Sequence, residues 1–174
     1  MYALLIVLVL LGLLLTLLLR LPRSLYRQLM YPKGRPSRLS RRLNAALGWL
    51  HGLGILPPFR LTLETRGRVT GRVYRIPLIA AEMGGGWYLV SMLGENAEWV
   101  RNVRADGGRA VIRRGRVEHV KLEEVPVARR APILKQYLRA APWARPHFDV
   151  DWTAPISDFE ALAERYPVFR IVWQ

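Results

Sequence analysis

Residues 59–106 read FRLTLETRGRVTGRVYRIPLIAAEMGGGWYLVSMLGENAEWVRNVRAD, and the reading of the whole chain turns on them. The stretch opens with alternation. Phe59, Leu61 and Leu63 fall on one face and Arg60, Thr62 and Glu64 on the other, the period of a half-buried β-strand. A second strand is expected over 73–80. Between the two lies Thr65-Arg66-Gly67-Arg68-Val69-Thr70-Gly71-Arg72, a turn with two glycines, two hydroxyls and three arginines. Glycine admits positive φ and lets backbone N–H groups converge, so such a turn can form a donor nest ringed by guanidinium groups, suited to phosphate or carboxylate. A third strand is expected over 87–92, ending in Ser91-Met92-Leu93-Gly94. A helical segment follows, with Trp99 and Asn102 three residues apart on one face.

After this stretch Gly107-Gly108 marks a turn, and residues 109–113 and 116–123 alternate as a hairpin around Arg114-Gly115. A helix is expected over 128–141, with Ile133, Leu134, Tyr137 and Leu138 on its apolar face, then an aromatic-rich loop over 142–155. A second helix is expected over 157–165, with Ser157 and Glu160 as a capping box. Residues 168–173 alternate as a closing strand. Short strands with turn signals, one helical excursion and a returning strand give a mainly β (α+β) fold, an antiparallel β-barrel with peripheral helices.

Upstream, residues 2–19 carry no charge, and as an α-helix they would span about 27 Å, close to the ~30 Å of a bilayer core. Arg20, Arg23, Arg27, Lys33, Arg35, Arg38, Arg41 and Arg42 follow at once. These features lead to the expectation of one N-terminal transmembrane helix, with the C-terminal body facing the cytoplasm and the basic flank against anionic lipid. Residues 39–53 regain helical spacing, with Leu43, Ala46, Leu47 and Leu50 on one face, to lie on the barrel or on the bilayer. The expected organisation is an anchor over 1–20, a basic linker with an amphipathic helix over 21–58, and a cofactor-binding barrel domain over 59–174.

The formal net charge of +14 is unevenly placed. Residues 1–63 hold nine Lys or Arg and no acid, while 64–174 hold eighteen basic and thirteen acidic residues. A nucleic-acid groove is therefore not expected. Cysteine is absent, which excludes disulfides and thiolate chemistry. His51, His119 and His147 lack metal-ligand spacing, so no metal site is expected. Ser91 has no neighbouring base, and there is no Walker, dinucleotide or paired-carboxylate pattern.

The order of motifs between 59 and 125 resembles the deazaflavin-dependent nitroreductases and quinone reductases, small split-β-barrel proteins that use coenzyme F-420. The matching pieces are Thr65-x-Gly67-Arg68-x-Thr70-Gly71-Arg72, Pro77-Leu78, Tyr88-Leu89-Val90-Ser91 with Gly94, and Trp99-x-x-Asn102-x-Arg104-Ala105. The resemblance implies a split barrel that transfers a hydride from reduced F-420 to a hydrophobic acceptor, a quinone or a nitro-compound. It implies that Arg66, Gly67, Arg68, Thr70, Gly71, Arg72 and Arg75 hold the phosphodiester and oligoglutamate tail. Ser91, Met92, Gly94, Trp99 and Asn102 would line the deazaflavin ring, with Ser91, Trp99 and Asn102 as the catalytic group. Tyr137 and Trp143 would wall the acceptor pocket, and split barrels of this kind form homodimers. Val69 and Tyr74 depart from the family pattern, which usually has a polar residue at the first position and Arg at the second. Two alternatives stand beside this reading: an FMN-binding split barrel, and a non-catalytic membrane-anchored binding module.

Overall fold

A computed structural model describes residues 9, 10, 12–14, 16–18, 20–32, 36–52 and 60–174, with the side chains of 47–52 undescribed. Six strands close into an antiparallel barrel: β1 (Arg60–Arg66), β2 (Val73–Met83), β3 (Gly86–Val90), β4 (Arg109–Arg113), β5 (Val117–Glu124) and β6 (Val168–Trp173). Their order around the barrel is β1-β2-β3-β6-β5-β4. Helix α1 (Arg23–Met30) and helix α2 (Arg38–Gly52) precede the barrel, and α3 (Glu98–Ala105) links β3 to β4. Helices α4 (Arg130–Ala140) and α5 (Ile156–Glu160) lie between β5 and β6.

β1 and β2 stop at glycine, before Gly67 and Gly84. β2 turns into β3 through Gly84 and Gly85, at φ 57° and 72°, so that Met83 pairs with Gly86 in a two-residue hairpin of the kind only glycine enters freely. Inside the barrel Leu61, Leu63, Leu89, Ile112, Val120, Leu122, Phe169 and Ile171 form one core, plugged by Trp99, Val100 and Val103 of α3. A second core lies outside it, where Ile133, Leu134, Tyr137 and Leu138 of α4 cover Ile79, Ala81, Val90 and Val168.

Several expectations change. The split barrel preceded by a transmembrane helix is corrected to a closed six-stranded barrel with helices, because no helix among the described residues is long and apolar enough to cross a membrane. The single-pass localisation falls with it. Part of the expected span, residues 1–8, lies outside the described residues, but its C-terminal end does not stand apart. Leu18 is buried with Tyr26, Met30, Tyr31 and Leu43, and Met92 and Leu93 pack against the same cluster. The basic flank finds protein carboxylates: Arg27 pairs with Asp149 at 2.8 Å and Arg23 with Asp151 at 3.9 Å. Protein supplies these surroundings only at the end of the run, around Leu18, Arg23 and Arg27, while Val9, Leu10, Leu13 and Leu17 are exposed.

Strand β1 is not half-buried. Thr62, Glu64 and Thr65 are buried along with Leu61 and Leu63, because α2 packs on β1 and β2. The expected first residue of the alternation, Phe59, lies outside the described residues, as do the helix-ending Gly54, Pro57 and Pro58. On α2, Leu43 is buried and Ala46 exposed. The capping box does not form: α5 is five residues long, starts after Pro155, and the Ser157 hydroxyl donates to Asp158 instead. The closing strand forms over the expected residues and inserts between β3 and β5.

Glu64 ties three strands together from the barrel's outer face. Its Oε1 accepts from Arg75 Nε on β2 at 2.6 Å and Arg113 Nε on β4 at 2.5 Å. Burial works to raise its pKa, but the Arg113 and Arg75 hydrogen bonds outweigh it and hold the carboxyl below its usual value. A folded-state pKa below the unfolded one contributes stability that is present above the unfolded value, about 4.3, and lost as pH falls through the folded value. Glu64→Gln is therefore expected to cost about 1–3 kcal/mol at pH 7. The gap in melting temperature between wild type and variant should close below about pH 4, and a gap constant from pH 7 to 3 would show that the carboxylate charge contributes nothing.

Candidate functional site

The β1–β2 turn is shaped by its own sequence. Gly67 N–H donates to Arg72 O and Gly71 N–H to Gly67 O, both at 2.8 Å, and Gly71 sits at φ 67°. Arg72 N–H donates to Thr70 Oγ1, whose hydroxyl also meets the Tyr74 hydroxyl at 3.3 Å. The Tyr74 ring closes over Gly67 so tightly that a Cβ there would stand 2.5 Å from Tyr74 Cε2. Tyr74, expected only as a departure from the family pattern, is thus a working part of the turn.

Helix α3 then latches the turn to the barrel. Asn102, 3% exposed, accepts through Oδ1 from Arg68 N at 3.2 Å and Arg68 Nη1 at 3.1 Å. The same Arg68 Nη1 donates to Glu98 Oε2 at 2.7 Å. The turn's inward donors, the amides of Gly67, Arg68, Gly71 and Arg72, are spent on protein acceptors. Among the described residues Arg66 and Arg72 make no ion pair and face solvent, whereas Arg75 is held by Glu64. Glu98 is a residue that sequence reasoning missed. Its signal was its place four residues before Asn102 on the helical face that meets the turn.

The second group lies at the end of β3. Ser91, 1% exposed, donates its hydroxyl to Gly94 O at 2.8 Å, and Gly94 N–H returns to Ser91 O at 3.0 Å. Gly94, at φ 72°, is pressed against the chain at Arg165. Trp99 is 7% exposed with its ring 5.4 Å from Phe169 in the barrel core. Asn102 therefore joins the arginine turn, Trp99 faces the core, and Ser91 braces its own turn. The structure does not bring these three side chains to one open point.

Met92 and Leu93, half-buried, meet the aromatic cluster that the N-terminal segment supplies. His147 packs edge-on against Tyr31 at 4.6 Å and Tyr26 at 5.6 Å. Burial, aided by Arg27, pushes the His147 pKa down to about 4, so the imidazole is neutral at pH 7. Burial likewise pushes the Tyr26, Tyr31 and Tyr137 phenols up. Tyr137 is a core residue 6.3 Å from Phe148, and Trp143 is half-buried under the Arg60 guanidinium at 4.4 Å. Among the described residues there is no cluster of potential metal ligands.

The fold is a closed six-stranded barrel, with an arginine-rich turn between β1 and β2 and a buried aromatic cluster against Met92 and Leu93. The sequence profile described as F-420H(2)-dependent quinone reductase matches residues 38–151, and the chain belongs to that family. Its cofactor is coenzyme F-420 and its chemistry F-420-dependent oxidoreduction. No curated protein matches it. Among solved structures it is similar to an F-420-H2-dependent reductase at 20% identity, over 68% of this chain and 97% of that one, with a TM-score of 0.47. It is similar to a protein of unknown function from Agrobacterium tumefaciens at 15% identity, over 82% of this chain and 56% of that one, with a TM-score of 0.51. It is also similar to a heme binding protein from Mycobacterium smegmatis at 17% identity, over 71% and 52%, with a TM-score of 0.45. The likeness to the Agrobacterium protein is one of fold.

Two exposed arginines that make no ion pair among the described residues, Arg66 and Arg72, are of the right chemistry for an anionic tail, and the turn that carries them is tied to Asn102. Asn102→Ala is expected to destabilise the protein by about 1–3 kcal/mol and to speed hydrogen exchange at the Arg68 amide, whereas Asn102→Asp keeps an acceptor and should restore protection. Equal exchange in all three proteins would mean that the latch does not hold the turn.

Proposed function

We propose that the protein is an oxidoreductase that passes a hydride from reduced coenzyme F-420 to a hydrophobic acceptor, a quinone or a nitro-compound. The observation that carries this reading is the family match over 38–151, supported by the buried apolar and aromatic cluster that packs against the half-buried Met92 and Leu93. The reduced coenzyme supplies the hydride, and a quinone that accepts it takes one further proton from solvent to become a hydroquinone.

The chain's own work is binding and orientation. Arg72 and the Thr70 hydroxyl hold the phosphodiester, with Arg68 at the turn's inner side, held there by Glu98 and Asn102. Within the turn from Ser91 to Gly94, whose end groups bond to Pro167 O and to each other, the backbone of Met92 and Leu93 would meet the ring. Ser91 and Asn102 are positioning residues: each fixes a turn that touches the cofactor. Trp99 anchors α3 in the barrel core and so sets where both turns stand. Tyr26, Met30 and Tyr31 press on Met92 and Leu93, excluding water from the acceptor's side and favouring an apolar acceptor. Residues 59–174 form the cofactor-binding domain in this reading, with α2 laid across β1 and β2.

Fluorescence titration of the full chain with oxidised F-420, repeated with FMN and with the Arg68→Ala/Arg72→Ala variant, tests the binding. F-420 is expected to bind, and the double substitution should weaken it by about tenfold or more. Anaerobic mixing of the reduced coenzyme with a menaquinone analogue, and separately with a nitroaromatic, then reads the acceptor. Tight binding of FMN with none of F-420 would move the protein to the flavin class, and binding of F-420 without turnover of either acceptor would overturn the proposed acceptor.

A further inference from the structure

His147 ends the short 3-10 segment Pro142–His147 that follows α4, and it stands where two cores meet. On one side are its chain neighbours Ala144 and Phe148, part of the core under α4, and on the other are Tyr26 and Tyr31 of the small N-terminal core. Met92 packs against both cores, so the turn after β3 and the imidazole adjoin the same seam. Between the start of α1 and the 3-10 segment the seam opens as a cleft of about 400 Å³, walled by Leu21, Pro22 and Arg23 on one side and Pro142, Arg145 and Pro146 on the other.

The imidazole is held in place but not satisfied. His147 is 7% exposed, and its Nε2 has no hydrogen-bond partner among the described residues. Its backbone is well fixed: the Tyr166 hydroxyl donates to His147 O at 2.8 Å, and Arg27 Nε donates to Pro146 O at 2.5 Å. Tyr26 and Tyr31 meet the ring edge-on, at interplanar angles of 82° and 80°. The polar groups around it are engaged elsewhere, Arg27 also with Asp149, and the Tyr31 phenol with Ser40 and Asn44 of α2. A buried nitrogen left unpaired costs stability, and a ligand that brings the missing partner recovers that cost.

We propose that His147 is a catalytic residue for the acceptor: its Nε2–H donates a hydrogen bond to the acceptor oxygen on which negative charge gathers as the hydride arrives. The proposal rests on the oxidoreductase reading above. A quinone carbonyl or a nitro group brings only lone pairs at its oxygens, so the unpaired nitrogen must be the donor, in the tautomer with its proton on Nε2. A neutral imidazole can stand ready in an apolar site, where an imidazolium would itself need a counter-charge before any acceptor arrives. With a quinone the hydride brings both electrons, the hydroquinone anion so formed takes its proton from solvent, and the imidazole keeps its own. Leu21 and the three prolines give the cleft apolar walls, suited to the approach of a flat, uncharged acceptor.

The test uses the full chain in two arms. In the first, without coenzyme, wild type, His147→Phe and His147→Gln are melted, and the imidazole N–H proton resonances are followed as a menaquinone analogue is added. Phenylalanine keeps a ring against Tyr26 and Tyr31 and removes the unpaired nitrogen, so His147→Phe should melt no lower than wild type. The resonance that His147→Phe lacks should move downfield in wild type as the analogue binds. In the second arm the analogue is reduced by the reduced coenzyme. His147→Phe should lower kcat by about tenfold to a hundredfold, with coenzyme affinity and the KM for the analogue little changed, and the side-chain amide of His147→Gln should restore most of the rate. A slower but equally stable Phe variant, rescued by Gln, supports the assignment to the acceptor. Full rate in His147→Phe, an equal loss of rate in both variants, or a resonance unmoved by the analogue overturns it and leaves His147 a packing residue. If the coenzyme does not bind wild type, the proposed function fails, and the first arm alone decides whether His147 meets an acceptor oxygen.

Discussion

Closure of the barrel is the constraint on which the rest depends. A sheet that closes leaves no unpaired edge, so the last strand must fit between β3 and β5 and satisfy both. β6 does so from Val168 to Trp173, and two backbone bonds mark its entry: Val125 N–H to Val168 O at 2.8 Å, and Ser91 N–H to Pro167 O at 2.9 Å. The second bond sets the turn that follows β3. The polypeptide between β5 and β6 must leave the barrel and return to this point, and Arg130 holds the excursion at its root. Though buried, it donates to Val125 O, Ala163 O and Glu124.

The arginine turn shows how a binding surface and a scaffold compete for the same donors. A glycine-rich turn with three arginines could present an open nest, but α3 arrives beside it with Asn102 and Glu98 and takes up Arg68 and its amide. What remains for a ligand is the outer rim, Arg66 and Arg72. Order gained in this way lowers the entropy that binding must overcome, since the turn need not be arranged by the ligand. The same bargain is visible at Glu64, which takes Arg75 and Arg113 out of the field of free cations while joining β2, β1 and β4.

The N-terminal third contributes to the body through packing and charge. Leu18, Tyr26, Met30, Tyr31 and Leu43 make a small core of their own that reaches Met92 and Leu93, and Arg27 crosses to Pro146 O and Asp149. The concentration of positive charge before residue 64 is thereby partly answered by acids that lie more than a hundred residues later. Those acids could not be matched to it by reading along the chain.

Local period and turn chemistry were enough to determine that this chain makes short strands, where glycine breaks them, and that the last strand returns. Strand periodicity and glycine φ are properties of a few neighbouring residues, and the motif order from Thr65 to Ala105 was enough to point to the deazaflavin family. Tertiary structure alone decided which partner each group meets. It buried both faces of β1, replaced the Ser157–Glu160 cap with a five-residue helix after Pro155, and brought the apolar N-terminal run's end onto protein. It also sent Trp99 into the core, spent the Ser91 hydroxyl on Gly94, tied Asn102 to Arg68, and set His147 against Tyr26 and Tyr31. The reason is the same throughout: a side chain's chemistry says what it can bond, while the distance that brings a partner within 3 Å is set by residues far away in sequence.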